Sequence, residues 1–218
     1  MLLLWLFSAV AGAQKVSILG DSYSTFAGHV APAWNAVWYK GVESDPNYAR
    51  NDVHEVGQTW WSLLIAQKGY TLERNNSFSG STVSYSGYRK ETYTDRSFVT
   101  RMCDLGNPDI IFVLSGTNDS WANAPIGKYQ YKKWKRADLF NFRPAFCYMM
   151  DYLTTNYPHA RIVNICNSEL SPEVTESQAV ICKHYKVTHV LLKDIEKQAG
   201  HPSQKGMKAI AEQVAAAL

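Results

Sequence analysis

The chain carries little charge of either sign. Charged residues make up 19% of its 218 positions, and 22 Lys and Arg against 19 Asp and Glu leave a net charge of +3. A nucleic-acid binder needs a dense basic face. The nearest segment, Lys132-Lys133-Trp134-Lys135-Arg136, is short and reads as a solvated face, so no nucleic-acid partner is expected. Cysteine is also scarce. Cys103, Cys147, Cys166 and Cys182 form no CxxC pair, which speaks against a zinc site, and no metal or other cofactor is expected. Three of the four lie in apolar stretches, where a small buried thiol is the ordinary state, so free thiols are expected. No apolar run approaches the ~20 residues that cross a bilayer, and stable membrane insertion is not expected. Internal repeats, low-complexity tracts and linkers are missing too, which leaves one domain with a single core.

What is present begins at the N-terminus. Met1 to Ala13 is apolar and ends in Ala11-Gly12-Ala13, the pattern of a secretory signal cleaved near Gln14. No Lys or Arg precedes the run, which points to a true start further upstream. No Cys follows it closely, which argues against a lipoprotein anchor. The expectation is a secreted or periplasmic domain over residues 14–218. Aromatics are plentiful, with seven Trp and thirteen Tyr, many of them between 34 and 61 or 121 and 157.

Short apolar runs alternate with helical patterns. Strands are expected at Val16–Leu19, Leu72–Asn75, Asp109–Leu114, Arg161–Cys166 and His189–Leu192. Helices are expected at Thr59–Lys68, Ser97–Leu105, Phe140–Asn156 with Pro144 in the first turn, Pro172–His184 and Ser203–Leu218. Such alternation implies an α/β fold, a three-layer α/β/α sandwich on a five-stranded parallel sheet. Sheets of this kind bind ligands beyond the carboxyl ends of their strands.

The residues at those ends carry the chemistry. Strand one runs into Gly20-Asp21-Ser22, strand two into a loop holding Gly80, and strand three into Gly116-Thr117-Asn118-Asp119. His201-Pro202 follows strand five. Acyl transfer needs a hydroxyl nucleophile, a His base and donors for an oxyanion, and all three types are here. Alone, Ser22 reads as a helix cap, Asn118 as a turn residue and His201 as a loop histidine. Together and in this order, the four blocks resemble the GDSL, or SGNH, hydrolases, and the resemblance runs from Lys15 to the C-terminus.

The resemblance implies a flavodoxin-like SGNH architecture with Ser22 as nucleophile and His201 as general base. It also implies an oxyanion hole from the N–H groups of Ser22 and Gly80 and the side-chain amide of Asn118. Asp21 and Asp119 are read as structural carboxylates holding nearby backbone N–H groups. In one respect the chain departs from the family pattern. The acid usually three residues before the catalytic His is here Gln198. Glu196 is the better placed substitute and Asp194 the alternative. A third arrangement has no acid, a backbone carbonyl such as that of Gln198 accepting the imidazole N–H.

Residues 23–58 form a long insertion rich in Trp and Tyr. Long loops on such scaffolds build binding sites. Trp38, Arg89 and Trp121 are the candidate substrate contacts. Flat rings beside a catalytic edge suit sugars, so the expected substrate is an O-acyl ester, above all an O-acetyl ester, on a glycan or a small molecule. Alternatives are a non-catalytic glycan-binding protein on the same fold, and a lipase or thioesterase of the same family. A flavodoxin-like phosphate or flavin binder using Ser22, Ser24 and Thr25 would leave Asn118 and His201 unexplained.

Overall fold

The computed structural model describes residues 12–218. The expected signal segment 1–13 lies, apart from Gly12 and Ala13, outside the described residues. Five parallel strands form the main sheet: β1 (Lys15–Gly20), β2 (Thr71–Asn75), β3 (Ile110–Ser115), β4 (Arg161–Cys166) and β5 (Thr188–Leu191). Their order is β2-β1-β3-β4-β5, so the chain reverses direction of travel between β2 and β3 and opens a crevice beside β1.

The central strand shows why the sheet is covered on both sides. Alternate residues of β3 point to opposite faces. Ile110, Phe112 and Leu114 pack with Trp60, Leu64, Met207 and Ile210, from α1 (Trp60–Lys68) and α6 (Gln204–Ala216). Ile111 and Val113 pack with Phe98, Phe146 and Ile181, from α2 (Phe98–Arg101), α4 (Phe142–Asn156) and α5 (Pro172–Tyr185). Side-chain caps set three helix starts: Thr59 accepts from Ser62 N–H, Ser171 from Val174 and Ser203 from Gly206. The four cysteines are free, with Cys147, Cys166 and Cys182 buried.

Two local features depart from the sequence reading. The helix expected over Ser97–Leu105 stops at Arg101. The carbonyls of Arg101 and Asp104 accept from the Asn76 amide, and that of Leu105 from the Ser17 hydroxyl. Side chains from neighbouring strands thus take over the end of the segment while Met102 and Leu105 stay buried. The second feature lies just before α6. Residues 197–202 form a small hairpin, β6 (Lys197–Gln198) against β7 (His201–Pro202), antiparallel. Ala199 and Gly200 make its turn with φ of 50° and 76°, both left-handed as a two-residue hairpin turn of the I′ kind requires. A short helix, α3 (Thr117–Trp121), follows β3 after Gly116 at φ 91°.

Candidate active site

β1 delivers Ser22 to the carboxyl edge of the sheet, where it opens a single 3₁₀ turn, Ser22–Ser24. Asp21 caps that turn by accepting from the Tyr23 N–H at 3.0 Å. The hairpin turn brings His201 to the same point, 179 residues on in sequence. Its Nε2 lies 2.9 Å from the Ser22 Oγ, and its Nδ1 lies 3.2 Å from the Ala199 carbonyl oxygen. A carbonyl can only accept, so Nδ1 carries the proton and Nε2 presents its lone pair to the serine hydroxyl. Burial lowers the imidazole to about 4, so the ring is neutral at physiological pH.

Neutral groups hold the hairpin. The Tyr23 hydroxyl donates to the Gly200 carbonyl at 2.7 Å and the Tyr39 hydroxyl to the Pro202 carbonyl at 2.9 Å. The buried Asn51 amide donates to the carbonyls of Gln198, His201 and Pro202. Trp38 stacks flat on the imidazole, with ring centroids 3.8 Å apart and planes 10° apart, while Tyr23, Tyr39 and Trp121 approach it at 5.4, 6.2 and 6.3 Å.

Neither candidate acid reaches the histidine. Glu196 accepts from the Ser203 hydroxyl at 2.7 Å and pairs with Lys205 at 3.1 Å, and Asp194 is exposed at φ 54°. Among the described residues no ion pair involves His201. The Gln198 carbonyl is also committed elsewhere, to Asn51, and its side-chain oxygen accepts from the Asp52 N–H at 2.9 Å. The reason is geometric. A two-residue turn folds the carbonyl of residue 199 over the ring, and the side chains of 194 and 196 leave before the turn begins.

The three candidate oxyanion donors stand on loops after three neighbouring strands, β1, β2 and β3. Gly80 adopts φ 80°, a left-handed conformation that a side chain would strain, and no acceptor among the described residues takes its N–H. Asn118, in the first turn of α3, donates from Nδ2 to the Ser81 carbonyl at 2.9 Å. Asp119 accepts from the N–H groups of Val83 and Ser84, which fixes the loop after Gly80. Burial raises Asp119 to about 6 and Asp21 to about 7.

Arg101 ties the end of β1 to the loop after β2 from below. Its guanidinium donates to the carbonyls of Asn76 and Gly20 and to the Ser81 hydroxyl, and its Nε to the Arg96 carbonyl. Burial lowers its ordinary ionisation to about 9. Arg101 reads in the sequence as one more helix residue, and nothing local marks it as the clasp between β1 and the loop after β2. Tyr23, Tyr39 and Asn51 were equally silent, although all lie in or beside the aromatic insertion. Of the expected substrate contacts, Trp121 is 42% exposed beside His201, Arg89 is exposed on a separate loop, and Trp38 is spent on the imidazole.

Comparison with known proteins bears on the family and the fold. Residues 14–218 match the family model of the GDSL-like lipases and acylhydrolases. A crystal structure from Bacteroides uniformis ATCC 8492, provisionally named a GDSL-like lipase, is 59% identical, superposes with a TM-score of 0.91 and shares 93% of this chain and 94% of its own. Another so named, from Bacteroides ovatus ATCC 8483, is 46% identical at a TM-score of 0.90, over 94% and 97%. A family two carbohydrate esterase from Cellvibrio japonicus shares the fold at 16% identity and a TM-score of 0.66, over 95% of this chain and 61% of its own. No curated protein matches the chain. With residues 14–218 covered by the family model and both Bacteroides structures superposing over more than nine-tenths of the chain, the chain belongs to the GDSL-like lipase/acylhydrolase family.

Proposed function

We propose that the protein is an exported serine esterase that removes short acyl groups, chiefly acetyl, from carbohydrate hydroxyls. One observation carries the reading: Ser22 Oγ and His201 Nε2 are 2.9 Å apart, with the other ring nitrogen committed to Ala199. Ser22 attacks the acyl carbon while His201 takes its proton. The negative charge that grows on the carbonyl oxygen meets the N–H groups of Ser22 and Gly80 and the amide of Asn118. His201 then protonates the departing sugar oxygen. In the second half His201 takes a proton from water as the water oxygen attacks the acyl carbon, and returns that proton to Ser22 Oγ as the acyl–serine bond breaks and the acid leaves. The imidazolium formed in each half is met by the Ala199 carbonyl and by the face of Trp38, not by a carboxylate.

The carbohydrate part rests on the exposed Trp121 beside the dyad and on loops that are polar-aromatic rather than Leu-rich. The name of the distant Cellvibrio fold neighbour agrees with it. Export rests on the apolar segment before Gln14. The test is hydrolysis of p-nitrophenyl esters of rising chain length and of an acetylated xylan. Acetyl should be preferred over long acyl chains, and Ser22→Ala should fall by at least ~10³-fold. Equal and negligible rates for both proteins on every ester would sink the esterase; a preference for long chains would move it to the lipases.

A further inference from the structure

The loop after Gly80 carries a hairpin that belongs to none of the four motif blocks. Residues 85–93 fold back on themselves: Tyr93 N–H donates to the Tyr85 carbonyl, Gly87 N–H to that of Glu91, and Ser86 bridges Thr92. The Tyr85 N–H donates to the Leu139 carbonyl and anchors the hairpin base. At the tip, Arg89 and Lys90 are consecutive non-glycine residues with φ of 53° and 62°. A left-handed non-glycine residue is strained, and such strain persists where the surroundings enforce it. The strained tip begins with Tyr88, half-buried, whose hydroxyl donates to the Asn118 Oδ1 at 2.7 Å.

We infer that Tyr88 is a positioning residue for the oxyanion hole, acting through Asn118. The inference rests on the esterase reading and deepens it. The Asn118 amide has one oxygen and two N–H donors. One donor goes to the Ser81 carbonyl at 2.9 Å, and the oxygen accepts from Tyr88. The second N–H is left for the oxyanion. Flipping the amide would set its oxygen against the Ser81 carbonyl, two acceptors face to face, and would end the donation from Tyr88 to the amide oxygen. The hydroxyl also withdraws electron density from the amide oxygen, which strengthens the remaining N–H as a donor. Burial holds the phenol protonated, so Tyr88 stays a donor across the working pH range. It touches Asn118 and not the reacting atoms, which separates it from the catalytic pair.

Tyr88→Phe removes only the hydroxyl and tests this in a double-mutant cycle with Asn118→Ala, using p-nitrophenyl acetate. Tyr88→Phe should lower kcat about tenfold, leave KM within about twofold and leave the pH profile unmoved, whereas Asn118→Ala should cost about 10²–10³-fold. In the Asn118→Ala background Tyr88→Phe should have almost no further effect. An active wild type with an indifferent Tyr88→Phe overturns the inference. So does the same tenfold loss in both backgrounds, or a rise in KM with kcat kept, since either would mean that Tyr88 acts on the substrate by itself. A wild type inert toward every ester overturns the esterase reading and this inference with it, and is distinguishable on sight from the other failures.

Discussion

Replacing Glu196 by Gln separates two ways of supporting a catalytic histidine. A carboxylate behind the imidazole stabilises the imidazolium, and its loss can cost up to ~10⁴-fold in kcat. Here the carboxylate is turned away, with one oxygen on the Ser203 hydroxyl and the other on Lys205. Glutamine keeps an oxygen for Ser203, so the cap that Ser203 provides to the Gly206 N–H at the start of α6 survives. The Lys205 pair is solvent-exposed and contributes little. The expected result is therefore a kcat and kcat/KM within about twofold of wild type. Asp194→Asn is the matched control, and it should be equally silent because Asp194 is exposed and, among the described residues, joins no ion pair. The assay is p-nitrophenyl acetate hydrolysis near neutral pH, with thermal unfolding measured in parallel. The two models differ by nearly four orders of magnitude, far more than assay error. A loss of about 100-fold or more in Glu196→Gln at unchanged melting temperature would refute the acid-free arrangement and put a carboxylate back behind His201.

Two further outcomes follow from the same geometry. The base works when neutral, and burial lowers His201 to about 4, so kcat/KM should rise with pH through about 4 and be level well before the ordinary imidazole range near 6.5. A pH–rate profile whose acid limb falls at 6 or above would show that the ring is more solvated, or nearer an acid, than described. Asn51→Ala strips the shared donor from the carbonyls of Gln198, His201 and Pro202 and removes the acceptor of the Val53 N–H. Urea unfolding should show a loss of about 2 kcal/mol, and kcat should fall about tenfold because those carbonyls belong to the hairpin that aims His201. Full activity in a destabilised Asn51→Ala would mean that Tyr23 and Tyr39 hold the hairpin without it.

Much of the site is legible in the sequence because strand direction does the placing. An apolar run such as Ile110–Ser115 has to be a buried strand, and whatever follows it has to emerge at the carboxyl edge. Ser22 and Asn118 each follow such a run, and Gly80 follows the more polar edge strand β2, so their neighbourhood follows from topology alone. What stands behind His201 is another kind of question. It is decided by the left-handed φ of Ala199 and Gly200, and by donors from Asn51 and Tyr39 about 150 residues away. No local pattern encodes either. Trp38 misled for a related reason: a Trp in an aromatic loop suits a sugar and an imidazole equally well, and only the packed structure shows which one it meets.

In the proposed mechanism a histidine with no acid behind it also makes physical sense. A carboxylate beside the ring would stabilise the imidazolium in the transition state, but it would stabilise it in the resting enzyme as well and raise the pH at which the base is lost. The Ala199 carbonyl and the Trp38 face attract positive charge less strongly. They give up some transition-state stabilisation and leave a base that remains unprotonated in mildly acidic surroundings. Such a design demands precise aim, since weak dipoles act only at short range and good alignment. That demand accounts for the neutral donors spent on one six-residue hairpin: two tyrosine hydroxyls and the two N–H groups of a single buried asparagine shared among three carbonyls, all on the residues of the hairpin.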